Sequence, residues 1–176
     1  MGTGTYVALL STLFNELVHG SPDVSAPTYV LNQGDRGLLA SLNGLDAAAA
    51  SASRDGPSIA AHVGHLRYGL SLLNRWAGGS SPPWPDMDWT MSWRKNVVSE
   101  AEWQALRDDL RHEADAWVEA LHTPREATDT EAGWMAASVA HLAYHMGAIR
   151  QINRATRGPT AEDEARAQAE QRPPST

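Results

Sequence analysis

Apolar side chains recur every three or four residues along five stretches of the chain, which is the spacing of one face of an α-helix. The stretches are 6–18, 35–50, 58–77, 99–121 and 131–156. No stretch of any length alternates apolar and polar residues in the manner of a strand. The pattern therefore predicts an all-α protein.

Local signals at the ends of these stretches support the helix assignments. Ser58 follows Pro57 and has the side chain of an N-cap, and Gly78 and Gly79 end the same stretch. Ser99 and Glu102 have the spacing of a capping box. The predicted arrangement is an antiparallel, up-down four-helix bundle with an additional N-terminal helix.

The segment 80–98, called here the Trp loop, is rich in proline and tryptophan. Three prolines without amide donors prevent a regular helix throughout it. Three tryptophans make it too apolar for a solvated linker, so we expect it to pack over the body of the domain. Two roles remain open at this point: it covers the mouth of a pocket, or it only closes the bundle.

The chain is divided into a helical bundle domain over 1–158 and a polar, flexible C-terminal tail over 159–176. Its 176 residues suit one domain with a sizeable core. The tail is charged, rich in Ala and Gln, and finishes in Pro-Pro-Ser-Thr.

Composition narrows the classes of function. The net charge of −7 disfavours binding to nucleic acid or to anionic lipid. The absence of cysteine excludes disulfides, a cysteine-ligated metal and a cysteine nucleophile. No apolar run reaches the roughly 18 residues of a membrane span, and no signal peptide is recognised. We therefore expect a cytoplasmic protein with no membrane partner.

Four of the seven histidines occur as pairs on two predicted helices: His62 with His65, and His141 with His145. His141 and His145 are four residues apart and share one helix face, as two ligands of one metal ion would. At about 100° per residue, His65, His141 and His145 all lie on the shoulders of the apolar stripes. Periodicity alone makes His62 as good a buried histidine as His65. Histidines that merely pack in the core are the alternative to a metal site.

Two motifs resemble those of a known family. The first is Ser58-Ile-Ala-Ala-His-Val-Gly-His-Leu66, and the second is His141-Leu-Ala-Tyr-His-Met-Gly-Ala-Ile149. They resemble the second-helix and last-helix motifs of the DinB-like (YfiT-like) metal-binding bundle superfamily, and the resemblance extends over about 5–158. Ala148 stands where the family usually has Gln.

The resemblance implies a four-helix bundle, often a homodimer, in which three histidines hold a divalent metal. By position, the implied ligands are His65, His141 and His145. The implied activity is that of a mycothiol- or bacillithiol-dependent S-transferase, or of mycothiol-dependent maleylpyruvate isomerase, on a small electrophile.

Three imidazoles leave a divalent ion with an open position, and zinc, nickel and ferrous iron all accept them. A low-molecular-weight thiol bound there would supply the nucleophile that the chain lacks. The same position could instead activate water for hydrolysis, so no side chain is predicted to be catalytic. A non-catalytic, stress-related metal-binding bundle is the remaining alternative.

Arg67, Tyr144 and Arg150 are candidates for binding the substrate, because they lie near the histidine motifs. An arginine there could hold a carboxylate through two hydrogen bonds. The alternative is that these residues pack or form ion pairs on helix surfaces.

Overall fold

The computed structural model describes residues 3–21, 27–53, 55–82, 84–123 and 127–171. The remaining residues fall within predicted loops, the start of the chain and the end of the tail, and lie outside the described residues. The described residues form α-helices and no strands, so the all-α prediction is confirmed. The helices are α1 (Thr3–His19), α2 (Gly37–Asn43), α3 (Ala47–Ser51), α4 (Ile59–Ala77), α5 (Trp89–Ser92), α6 (Glu100–His122), α7 (Asp129–Ile152) and α8 (Ala161–Gln171).

Four long helices build the core. α4 packs against both α6 and α7, and α1 packs against the same two helices. The largest fully buried side chains between them include Trp103, Trp117 and Phe14. The burial of such large apolar surfaces is the main stabilising contribution to the fold.

The helix starts predicted from capping residues are confirmed. The Ser58 hydroxyl accepts a hydrogen bond from the Ala61 amide at 3.2 Å and starts α4. Ser99 and Glu102 form the predicted capping box of α6. α7 begins at Asp129, two residues before the apolar pattern indicated, because Thr128 and Glu131 form a second capping box.

The predicted single helix over 35–50 is wrong: this stretch forms two short helices, α2 and α3, with a break at 44–46. Asp46 caps α3 by accepting a hydrogen bond from the Ala49 amide at 2.7 Å. The carbonyl of Leu45 accepts a hydrogen bond from the Trp103 indole at 2.8 Å. The break thus frees a backbone acceptor for a buried tryptophan. The short helices α2 and α3 follow α1 and precede α4 in the sequence. The N-terminal helix α1, which was predicted as an addition to the bundle, is itself one of the four long helices.

A buried carboxylate ties α7 to the start of α2. Asp35 accepts hydrogen bonds from the Gly37 amide at 2.9 Å and from Arg150 Nη2 at 2.9 Å. Gly20 and Gly37 have φ values of 77° and 76°. A Cβ atom at Gly37 would lie 2.4 Å from the Gly20 backbone nitrogen. The two glycines therefore allow these backbone segments to pack directly against each other.

The C-terminal segment contains a helix that the sequence analysis did not predict. α8 covers Ala161–Gln171, and its start is capped by reciprocal hydrogen bonds between Thr160 and Asp163. The predicted tail therefore contains helical structure up to residue 171, and residues 172–176 lie outside the described part. In the part of the chain that is described, none of the helices has both the length and the apolar character to cross a bilayer.

Candidate metal centre

Four histidines, referred to below as the histidine cluster, meet where α4 packs against α7. His62 and His65 come from α4, and His141 and His145 come from α7. His62, His65 and His145 are buried, the last with only 1% of its surface exposed, and His141 is half-buried. His65, His141 and His145 were predicted to lie on the shoulders of apolar stripes, and the packing of α4 on α7 brings those shoulders together.

The ring nitrogens of three of these histidines lie close together. His141 Nε2 lies 3.0 Å from His65 Nε2 and 2.9 Å from His145 Nε2. Three nitrogens bound at about 2.0–2.1 Å to one tetrahedral zinc ion stand about 3.3 Å apart, so these two distances need to change by only a few tenths of an ångström. The ligand atoms of all three residues lie within 4.8 Å of one another. His65, His141 and His145 could therefore hold a metal ion, as a set of three compatible ligands. The predicted proximity of these three residues is confirmed.

Ser92 fixes the orientation and the tautomer of His65. Its hydroxyl donates to the Trp89 carbonyl at 2.6 Å, which leaves its oxygen to accept from His65 Nδ1 at 2.7 Å. We assign the His65 proton to Nδ1 on this basis. The Nε2 lone pair then faces the other two histidines, as metal coordination requires.

His62 supports the cluster from behind His145. The Nδ1 atoms of His62 and His145 lie 2.8 Å apart, so one imidazole donates to the other. If His145 offers Nε2 to a metal, its proton lies on Nδ1, and His62 Nδ1 accepts the hydrogen bond from it. Periodicity could not choose between His62 and His65; the structure places His65 among the three converging ligands and His62 one hydrogen bond further out.

The Trp loop lies over the cluster. The Trp93 ring stacks on His65 with the ring centroids 4.2 Å apart and an angle of 20° between the planes. The Trp89 ring lies 5.3 Å from the same imidazole. Trp84 instead packs edge-on against Trp134 of α7 at 5.0 Å. One segment thus both covers the histidines and adds to the packing of the bundle.

Burial lowers the pKa of all four histidines in the cluster. Repulsion from the neighbouring imidazoles adds to the effect of burial and lowers the pKa of His65 to about 4 and that of His145 to about 3. The imidazoles are therefore neutral at pH 7. Neutral imidazole is the form that binds metal.

We expect the metal-free protein to lose stability as the pH falls from 7.5 to 5. The unfolded chain has histidine pKa values of about 6.5. Below that value it binds more protons than the folded chain, in which the pKa values of His65 and His145 are lowered, so acid favours unfolding. The stabilisation is complete above pH about 6.5 and is lost progressively as the pH falls toward the lowered pKa values of the folded state. Urea unfolding at several pH values measures this.

Two variants separate the cluster from the other titrating groups. His112 is exposed on α6, and His112→Ala should keep the pH dependence of the wild type. His145→Gln should show a weaker dependence because it removes the most strongly shifted group. A free energy of unfolding that does not change between pH 7.5 and 5 in the wild type would contradict buried neutral histidines.

Loss of the His62 side chain is expected to weaken metal binding without abolishing it. Groups that orient a ligand typically contribute about 10–100-fold in metal affinity. His62→Phe should show a loss in this range, and His62→Asn, which keeps a hydrogen-bonding group, should recover part of it. Competition with a chromogenic chelator measures the affinities. An unchanged affinity in His62→Phe would show that the bond to His145 has no role in coordination.

The three candidate substrate-binding residues have different surroundings. Tyr144 is 70% exposed, and its ring lies 5.0 Å from that of His145. Arg67 is half-buried on α4. Arg150 is paired with Asp35, which gives its guanidinium a structural partner. Their roles in binding substrate stay predictions.

Ser92 and the orienting role of His62 were missed by the sequence analysis. The sequence contains one indication for Ser92, because Asp88 is a residue type that caps helices. In the structure Asp88 caps α5 by accepting a hydrogen bond from the Met91 amide at 3.0 Å, and Ser92 is the last residue of that helix. The contact with His65 depends on how the loop folds back, which periodicity does not report.

Comparison of the chain with family models, with characterised proteins and with solved structures gives no match.

Proposed function

We propose that this protein is a divalent-metal-dependent enzyme on an antiparallel four-helix bundle, a thiol S-transferase or isomerase that acts on a small electrophile. The observation that carries the proposal is the convergence of three neutral Nε2 atoms. Among the described residues the group contains no fourth ligand. The resemblance of the two histidine motifs to DinB-like proteins supports the thiol-dependent reaction.

A divalent metal at such a site supplies an open position and lowers the pKa of a thiol that binds there. The chain holds the imidazoles in place for this purpose. Ser92 fixes His65, His62 fixes His145, and Trp93 covers His65 against water. An oriented, partly dry ligand set costs little reorganisation when the thiol arrives.

The absence of cysteine agrees with a thiol supplied by a second substrate. In the reaction we propose, the sulfur attacks an electrophilic carbon, a C–S bond forms, and the leaving group departs with the bonding electron pair. The thiol proton passes to solvent. Arg67 and Tyr144 are the candidates to hold the electrophile.

The test uses 1-chloro-2,4-dinitrobenzene with mycothiol, bacillithiol or N-acetylcysteine, and follows the absorbance of the thioether product. Protein loaded with zinc, nickel or ferrous iron should turn over with at least one thiol, and chelation should abolish the rate. Turnover without thiol would favour hydrolysis instead. A metal-loaded protein that is inactive with every thiol would contradict the proposal.

A further inference from the structure

A cavity of about 440 Å³ lies between α4, α7 and the Trp loop. Its volume is in the range of small-ligand sites, about 300–1,000 Å³. Three tryptophans from different parts of the chain line it together with leucines of α4: Trp84, Trp89, Trp134, Leu66, Leu70 and Leu73. We call it the Trp cavity.

The Trp cavity reaches the histidine cluster directly, because His141 is part of its wall. Gly69 lies at the junction: a Cβ atom there would stand 3.7 Å from His141 Cε1 and 3.8 Å from the Trp89 ring. The glycine therefore places no side chain from position 69 against the Cε1 side of His141. A ligand in the cavity would lie against a residue that contributes to the candidate metal centre.

A larger cavity of about 930 Å³ lies near the cluster but touches a different histidine. It is lined by His62 and by polar residues that include Asp55, Gln151 and Arg154. None of the three converging ligands lines it. The Trp cavity is therefore the better candidate for the part of a substrate that reacts at the metal.

The lining of the Trp cavity selects against charge. None of the residues lining it is Asp, Glu, Lys or Arg. Ser138 also lines it, but its hydroxyl already donates to the Met135 carbonyl at 2.7 Å and accepts from the Trp117 indole at 2.9 Å. An ion placed there would lose its hydration without compensation.

Three tryptophan side chains line the cavity and offer aromatic surface to its occupant. Indole faces favour flat aromatic partners.

We propose that the Trp cavity binds a neutral aromatic group, and that this group is the apolar part of the electrophilic substrate. The assignment of this group to the substrate rests on the proposed function. Binding of the aromatic group to the Trp cavity can be tested without turnover.

The probe is 6-propionyl-2-dimethylaminonaphthalene, a neutral naphthalene dye with a ketone oxygen. Zinc-loaded wild-type protein should bind it with blue-shifted dye emission and quenched tryptophan emission. Ala137 lines the cavity and is exposed, so Ala137→Phe should block the entrance. Ala140 is exposed on the same helix and is not part of the lining, which makes Ala140→Phe the matched control.

Binding should weaken at least about 10-fold in Ala137→Phe and stay unchanged in Ala140→Phe. Trp84→Ala removes part of the cavity wall on the side of the Trp loop and leaves the helices unchanged. A similar loss of dye binding is expected in this variant. No dye binding by the wild type, or equal binding by all variants, would overturn the proposal.

Turnover of 1-chloro-2,4-dinitrobenzene then separates the two proposals. Dye binding with the expected variant pattern but no turnover with any thiol would contradict the proposed function and keep the cavity as a ligand site. Turnover with the same KM for the aromatic electrophile in wild type and Ala137→Phe would overturn the substrate assignment alone.

Discussion

His141→Ala is expected to lower thiol-dependent turnover at pH 7 by more than about 30-fold. A thiol with a pKa of about 8.5 is only about 3% ionised at pH 7, so loss of the metal removes up to about a 30-fold gain in thiolate. His141 is the residue whose Nε2 contacts both other ligands, at 3.0 and 2.9 Å. The loss of positioning adds to the loss of thiolate. Initial rates with 1-chloro-2,4-dinitrobenzene and an active thiol measure the effect.

His112→Ala is the matched control, because it also removes an imidazole but from the exposed face of α6. It should retain the wild-type rate and metal content. A rate in His141→Ala within threefold of the wild type would show that the reaction does not use the metal centre.

Arg150→Met is expected to destabilise the fold by about 3–5 kcal/mol, the usual cost of leaving a buried ionised partner unpaired. Asp35 is 2% exposed. Arg150 Nη2 lies 2.9 and 2.8 Å from the two carboxylate oxygens of Asp35. Methionine keeps most of the aliphatic length but leaves the carboxylate with the Gly37 amide as its hydrogen-bond donor. The free energy of unfolding in urea measures the loss.

The double variant Asp35→Asn with Arg150→Met separates charge from packing. Asparagine keeps an acceptor for Gly37 and removes the buried charge, so the double variant should recover much of the stability that Arg150→Met alone loses. Equal losses in the single and double variants would contradict the ion-pair explanation. Normal stability with a raised KM in Arg150→Met would instead support the predicted role in binding substrate.

Much of the fold could be predicted from the apolar pattern because long helices repeat their signal over several turns. α4 and α6 begin where their capping residues predicted. The pattern failed where tertiary contacts decide. Leu38 and Leu45 fit one helix by spacing, yet the chain breaks at 44–46 because Asp46 caps a new helix and the Leu45 carbonyl accepts from Trp103.

The candidate site could be predicted in part for a similar reason. His141 and His145 are one turn apart, so their proximity follows from helix geometry alone. Their proximity to His65 required the packing of α4 on α7, which the resemblance to DinB-like proteins implied. Ser92 and the Trp cavity could not be predicted, because they depend on the path of a loop with no periodic pattern.

The most direct test of the account is elemental analysis of untagged protein after dialysis against metal-free buffer. Wild type and His112→Ala should each retain close to one equivalent of a divalent metal, and His65→Ala and His145→Ala should each lose it. Absence of metal from the wild type, or its retention in His65→Ala, would contradict the three-histidine centre on which the proposed function rests.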